Sequence, residues 1–254
     1  MSKREDCDFA IRFYAFQFKT LRERLRSVKN RGVGRIMKTG KDEISLADQT
    51  VKAIETGIIS GQYHPGEHLS EAMLAKKLSV SRNTLREAFR ILTKNGLAEY
   101  RANRGVFVTV PDFNTIVDVY NARRIIEVGA VRNMNFPHPS IVLMDKVVEK
   151  AEKLCEEEKW QDVGTADMEF HQLLVSLGNS PRLDRLFSEI TIELRLIFGL
   201  VTDLQSLHQP FVAMNRDIVE GLKKEKPKKA ARLLKAYLKQ SERMIVRAYR
   251  ALQK

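Results

Sequence analysis

Residues 70–95 constrain the fold more than any other stretch of this chain. "SEAMLAKKL" (70–78) has the pattern of a short amphipathic helix, and "SVSRNTLREAF" (79–89) then leads from small polar residues and arginines straight into an apolar helical repeat. Ser81 suits an N-cap, because its hydroxyl can accept from a backbone N–H that the first helical turn leaves without a partner. Beyond it Leu85, Ala88, Phe89 and Leu92 recur at three- and four-residue spacing, while Arg82, Arg86 and Arg90 follow at i, i+4 and i+8 on a different face. One face packs and the other presents guanidinium groups. The helix is expected to stop at "KNG", where Asn95 and Gly96 can supply a left-handed C-terminal conformation. Two short helices joined by a tight polar turn, the second of them basic, make a helix-turn-helix.

The flanks extend the pattern. In residues 46–60, Val51, Ile54, Ile58 and Ile59 form a helical stripe, and Pro65-Gly66 then signals a turn. After Gly96 the chain reads "LAEYRANRGVFVTV", two short strand-like runs with Arg104-Gly105 at or near the tip of a hairpin. Three helices closed by such a hairpin are a winged helix. From Leu46 to Val110 the signals "G", "PG", "LSE", "LA", "VSR", "LREA", "L", "GL" and "RG" stand in the order of the GntR family of bacterial transcription regulators, close to its spacing, and the stretch resembles that family. The resemblance implies that Ser81, Arg82, Asn83 and Arg86 meet phosphates and base edges of double-stranded DNA from a recognition helix, and that Arg104 and Gly105 approach the minor groove through the wing. Ala72 departs from the pattern, which often has a charged residue there, so one DNA contact is expected to be missing.

At 254 residues the chain has room for two domains. Two cysteines, Cys7 and Cys155, make no disulfide framework, and a reducing cytoplasm is the simplest reading. No apolar run approaches the roughly 18 residues a membrane span needs. The start, with Glu5, Asp6 and Asp8 and no apolar segment, is not expected to be a secretory signal. The net charge of +12 is unevenly spread: +6 in residues 1–36, zero in 37–45, +3 in 46–110, −7 in 111–222 and +10 in 223–254. A DNA-binding reading therefore rests on the placement of Arg82, Arg86 and Arg104 rather than on bulk basicity. The basic tail reads first as a solvated helix face. Residues 1–45 form an N-terminal extension whose first 36 residues allow either a basic amphipathic helix or a natural start at Met37 that leaves them outside the natural product.

Beyond Pro111 the pattern stays helical. Segments near 112–134, 140–158, 162–177, 182–204, 209–225 and 227–252, separated by "FPHP", "WQD", "GNSP", "HQP" and a break at Pro227, predict an all-α antiparallel bundle over 112–254. The fold class is thus mostly α, a winged helix-turn-helix followed by a helical bundle. "YNARRIIEVGAV", "DMEFHQLLVSLGNSPRL" and "NRDIVEGLKKEKPKKAARLLKAYL" resemble the FCD effector-binding domain of the FadR subfamily, and six helices favour its VanR-like branch.

That second resemblance implies a pocket inside the bundle, often built round a divalent metal ion held by an Asp, a His four residues later and two further histidines. Asp167 and His171 match the first pair, but the other two positions fall on Asn215 and Tyr237, neither a strong metal ligand. An Asp–His hydrogen bond in a polar core is the alternative. Arg123 falls on the family's first-helix arginine and Arg195 sits mid-bundle on the fourth helix; either suits a bidentate grip on an effector carboxylate, with an ordinary surface or interdomain ion pair the competing role for Arg195. The expectation is a cytoplasmic homodimeric regulator that binds a palindromic operator under control of a small organic acid. Two rival readings are a metal-dependent hydrolytic enzyme using Asp167 and His171, and a sequence-indifferent architectural DNA binder. The first lacks a nucleophile motif and any use for the winged helix; the second leaves the polar core of the bundle idle.

Overall fold

Side-chain caps set where most of the helices begin in the computed structural model, which describes residues 45–253. Ser45 accepts from the Asp48 N–H at the start of α1 (Leu46–Ile59), Ser70 from Met73 at the start of α2 (Glu71–Leu78), and Ser81 from Thr84 at 3.1 Å at the start of α3 (Arg82–Lys94). Each oxygen satisfies a donor the first helical turn cannot. The α3 helix stops as expected at Asn95-Gly96, but only Gly96, with φ +73°, is left-handed; Asn95 keeps φ −82°. The readings of residues 1–36 and of Met37 lie outside the described residues.

Leu85, Ala88, Phe89 and Leu92 of α3 meet Val51, Ile54 and Ile58 of α1 and Leu74 of α2 in one buried cluster. The wing closes it: β1 (Ala98–Arg101) pairs antiparallel with β2 (Gly105–Val108) in the register Ala98↔Val108 and Arg101↔Gly105, and His68 makes an isolated antiparallel bridge to Phe107 of β2.

Six helices follow, α4 (Phe113–Asn133), α5 (Pro139–Glu156), α6 (Trp160–Ser176), α7 (Pro181–Phe198), α8 (Leu204–Lys223) and α9 (Pro227–Leu252). The count matches the sequence pattern, and one boundary moves. The break expected at "HQP" lies instead at 199–203, and α8 runs through Pro210. Asp203 caps this start by accepting from Ser206. A proline in the second turn removes one ladder hydrogen bond, a local cost that the buried Leu207, Phe211 and Val212 offset by packing. No helix among the described residues is long and apolar enough to cross a membrane.

The α7 helix joins the two parts of the molecule. Its Ile192 and Leu196 lie in the winged-helix core, whereas Leu194, Ile197 and Phe198 pack with Ile116, Val119 and Tyr120 of α4 and Met168 of α6. Gly199 follows directly, where a methyl group would fall 2.7 Å from Cδ of Pro65, so only glycine allows this approach. Nearby, the Gln161 side-chain amide donates to the Ser60 carbonyl at 3.2 Å, a polar tie from α6 to the end of α1.

Candidate DNA interface and effector site

Of the residues expected to face DNA, Ser81, Arg82, Asn83, Arg86 and Arg104 are exposed and Gly105 is half-buried. Ser81, Arg82 and Asn83 sit at the N-terminus of α3, where the helix dipole and free N–H groups favour a phosphate. Arg86 lies one turn on, its side chain 62% exposed and its Nε donating to Glu71 of α2 at 3.0 Å. That carboxylate aims the guanidinium while the outward nitrogens stay free for a base or phosphate, and nothing in the sequence alone couples Glu71 to Arg86. On the wing, Arg104 is exposed in the turn, and both Arg101 and Arg104 stack near the Phe107 ring. Gly105 has φ +94°, and a methyl there would fall 2.8 Å from His68 Nε2, so this position accepts only glycine.

In the bundle, α4, α6, α8 and α9 bring Arg123, Asp167, His171, Asn215 and Tyr237 into one buried cluster with Glu127, a residue the sequence reading did not single out. Glu127 is its hub: one carboxylate oxygen accepts from Arg123 Nε at 2.7 Å and the other meets His171 Nδ1 at 2.5 Å. Burial alone would raise the Glu127 pKa, but the Arg123 guanidinium and the His171 imidazole outweigh it and hold the carboxyl below its ordinary value. Glu127 is therefore an acceptor, and His171 Nδ1 carries the proton between them. Burial likewise works against Arg123, and Glu127 reverses the sign and raises its pKa.

The second half of the cluster centres on Asp167. Tyr237 Oη lies 2.8 and 2.9 Å from the two carboxylate oxygens and donates to them, while Asn215 Nδ2 donates to Oδ1 at 2.8 Å. Burial, reinforced by Asp167, raises the Tyr237 pKa well above its usual value and keeps the phenol a donor. Arg123 Nη2, His171 Nε2 and Asn215 Oδ1 are buried without a hydrogen-bond partner. The void beside Asp167 and Asn215 measures about 10 Å³, room for one water and no organic acid in this conformation.

This donor set does not fit a divalent ion. Asp167 Oδ1 and His171 Nε2 are 3.8 Å apart, a separation one ion could bridge, but both Asp167 oxygens are engaged by Tyr237 and Asn215, and the remaining two positions offer an amide and a protonated phenol. No group of three or more His, Cys, Asp or Glu suited to a metal occurs among the described residues.

Arg195 stands apart from that cluster. It is buried and makes no ion pair among the described residues, which corrects the expectation of an ordinary surface or interdomain pair; its Nη2 reaches only the Gln161 carbonyl at 3.5 Å and Thr165 Oγ1 at 3.3 Å. Its position beside Gly61, between α7 and the end of α1, is interdomain as expected.

The model for "Bacterial regulatory proteins, gntR family" matches residues 46–108, and the FCD domain model matches residues 118–240. The Nta operon transcriptional regulator of Aminobacter aminovorans is 34% identical over 151 residues, 58% of this chain and 70% of that one. The chain belongs to the GntR family. This GntR regulator is also similar to the galactonate operon transcriptional repressor of Escherichia coli K12, at 26% identity over 61% of this chain and 76% of the other. A solved GntR transcriptional regulator from Rhodococcus sp. RHA1 shares 36% identity with a TM-score of 0.75, covering 80% of this chain and 98% of that one. The family and its named relatives are transcription regulators, so the hydrolytic reading of Asp167 and His171 in this GntR protein is set aside.

Glu127 was the most legible of the residues the sequence reading missed. It follows Arg123 by four positions on one helix, a spacing that itself pairs opposite charges. His208, buried on α8 one turn before Phe211, carries no motif and could be found only from the fold.

Proposed function

We propose that this GntR regulator binds a palindromic operator as a homodimer and that a small organic acid, entering the polar core of its FCD bundle, sets operator affinity. The observation that carries the reading is the unused hydrogen-bonding capacity of Arg123 Nη2, His171 Nε2 and Asn215 Oδ1, all buried in the domain where FCD proteins typically take effectors. Buried polar atoms without partners are costly, and an acid with oxygen acceptors and hydroxyl donors relieves that cost. Asn215 and Tyr237 hold such an acid directly, without a metal ion. The closed void means that the acid selects a more open bundle, and because α7 shares its core with the winged helix, that selection changes how the two recognition helices are held.

Operator affinity measured with and without a candidate acid tests the reading, alongside metal analysis of fresh protein. Affinity that no acid alters removes the effector, and stoichiometric metal lost in His171→Ala removes the metal-free route. On the DNA side, Arg86→Ala is expected to weaken specific binding by about 1–3 kcal/mol and to relax preference at one position per half-site. Binding assays across operator variants check this: equal loss on every sequence makes Arg86 a phosphate contact, and no loss at all removes α3 as the recognition helix.

A further inference from the structure

Arg123, the arginine that the family resemblance offers to an acid, is committed to Glu127. Among the described residues, the buried bundle cation without an ion pair is Arg195, whose contacts to Gln161 and Thr165 are long. An enclosed guanidinium with no counter-ion is costly to keep unless something repays it. Directly beside it lies His208, also buried, with Nε2 lacking any partner. Both groups converge on Gly164 of α6: a methyl there would stand 2.4 Å from His208 Nε2 and 3.1 Å from Arg195 Nη1. The absence of a side chain at residue 164 is what lets the unpartnered His208 Nε2 and the Arg195 guanidinium meet.

Two features flank the pair. Outward, an open groove lies between the first turns of α6 and α8, lined by Trp160, Gln161, Asp162, Leu204 and Gln205, and so begins one turn from His208 and at the residue whose carbonyl Arg195 touches. Inward, Gly164, Asp167 and His171 succeed each other along α6 while His208 and Asn215 do so along α8, with the buried Phe211 and Val212 between them, so a seam of spaced polar groups points from the groove end of these helices toward the central cluster.

We propose that Arg195 and His208 form the carboxylate anchor for the acid, with the Thr165 hydroxyl turning from the Gln161 carbonyl, to which it donates at 3.0 Å, to make a third polar contact, and the rest of the ligand directed along the seam toward Asp167 and Asn215. The assignment rests on the acid-responsive reading above and names where the acid is gripped. A guanidinium offers two parallel N–H groups to a carboxylate, and a neutral imidazole protonated at Nε2 offers one more. The class of ligand follows: a small monocarboxylate, with hydroxyl groups to match the acceptors and donors further along the seam. Asp162, the carboxylate nearest Arg195 in electrostatic effect, lines the groove with Glu158 and Asp203 against one cation, Lys159, and this acidic rim disfavours a second negative charge at that end. The anchor also explains transmission. Arg195 Nη2 would lie 3.4 Å from a methyl at Gly61, and Gln161, whose carbonyl it touches, donates to Ser60 at the end of α1. Turning Arg195 toward a ligand therefore alters the contact between bundle and winged helix.

The test is a thermal-shift titration of the full chain with acetate, benzoate and gluconate at constant ionic strength, on wild type, Arg195→Met, His208→Phe and Thr165→Val. At least one acid is expected to raise the wild-type Tm by about 3–6 °C at ten times its Kd. Without acid, Arg195→Met and His208→Phe should melt no lower than wild type, since each loses a buried polar group that has no adequate partner. With acid, both should lose the shift, and Thr165→Val should keep part of it. An acid that shifts Arg195→Met and His208→Phe as far as wild type overturns this anchor and leaves an acid-binding bundle standing. Either variant melting several degrees lower without acid makes that residue structural and also overturns it. Wild type unmoved by all three acids overturns the anchor and the acid-responsive reading together.

Discussion

Glu127→Ala should cost this protein about 3–5 kcal/mol of stability, because it strips the buried Arg123 and His171 of their shared carboxylate at once. The magnitude comes from what is left behind: a guanidinium enclosed in the bundle beside the Tyr120 ring, with no anion to balance it. Glu127→Gln should cost less, since the amide keeps one acceptor for one of the two partners. Replacing both ends of the ion pair, Arg123→Met with Glu127→Leu, should be milder than Glu127→Ala alone, because no uncompensated charge remains. Urea denaturation of the four proteins checks the order. A loss below 1 kcal/mol for Glu127→Ala, as expected for the half-exposed Arg124–Glu242 pair, would mean that Glu127 is not the hub of the cluster.

The second large effect is a pH dependence. Burial, aided by the neighbouring Arg195 cation and opposed by Asp167, pushes the His208 pKa from 6.5 down to about 4. Between those two values the unfolded chain protonates this histidine and the folded chain does not. Stability from this source is therefore complete above pH 6.5, falls as pH drops, and stops falling below about pH 4. The whole change is on the order of 3 kcal/mol. Glu127 works in a separate window: its pKa is held below 4.5, so its contribution is lost only as pH falls beneath that value. Denaturation at pH 7.0, 6.0 and 5.0 should show a decline in wild type that is largely absent in His208→Phe. Parallel curves for the two proteins would show that His208 is protonated without penalty in the folded state.

What the sequence showed, and what it hid, follows from the range of the interactions concerned. Ser81, Leu85, Phe89 and Leu92 announce α3 because capping and helical periodicity are written within a few residues. The α7–α8 boundary was misplaced because Pro210 is a strong local breaker and the Asp203 cap a weaker local signal, and packing of Leu207 and Phe211 decided between them. In the bundle, Asp167, His171, Asn215 and Tyr237 do share one site, yet which hydrogen bonds they make could not be read from spacing. Tyr237 lies 70 positions from the carboxylate it serves. His208 was harder still, since its significance is an unpartnered ring nitrogen, and absence leaves no mark on a sequence; Arg195 does stand out there as a mid-bundle arginine, though not as one without an ion pair among the described residues.

The two cores carried by α7 bear on how this protein can be rebuilt. Families of regulators invite module exchange, in which a reading head from one relative is joined to a sensing body from another at the short linker between them. In this protein the seam of such a chimera does not lie at residue 111. Ile192 and Leu196, more than eighty positions downstream, are part of the hydrophobic core of the reading head. A graft cut at the linker would bring in a foreign α1 to face two side chains shaped for another, leaving voids or clashes where the signal must pass. A workable exchange therefore moves residues 46–110 together with the outward face of α7, so the portable unit is discontinuous in sequence although continuous in space.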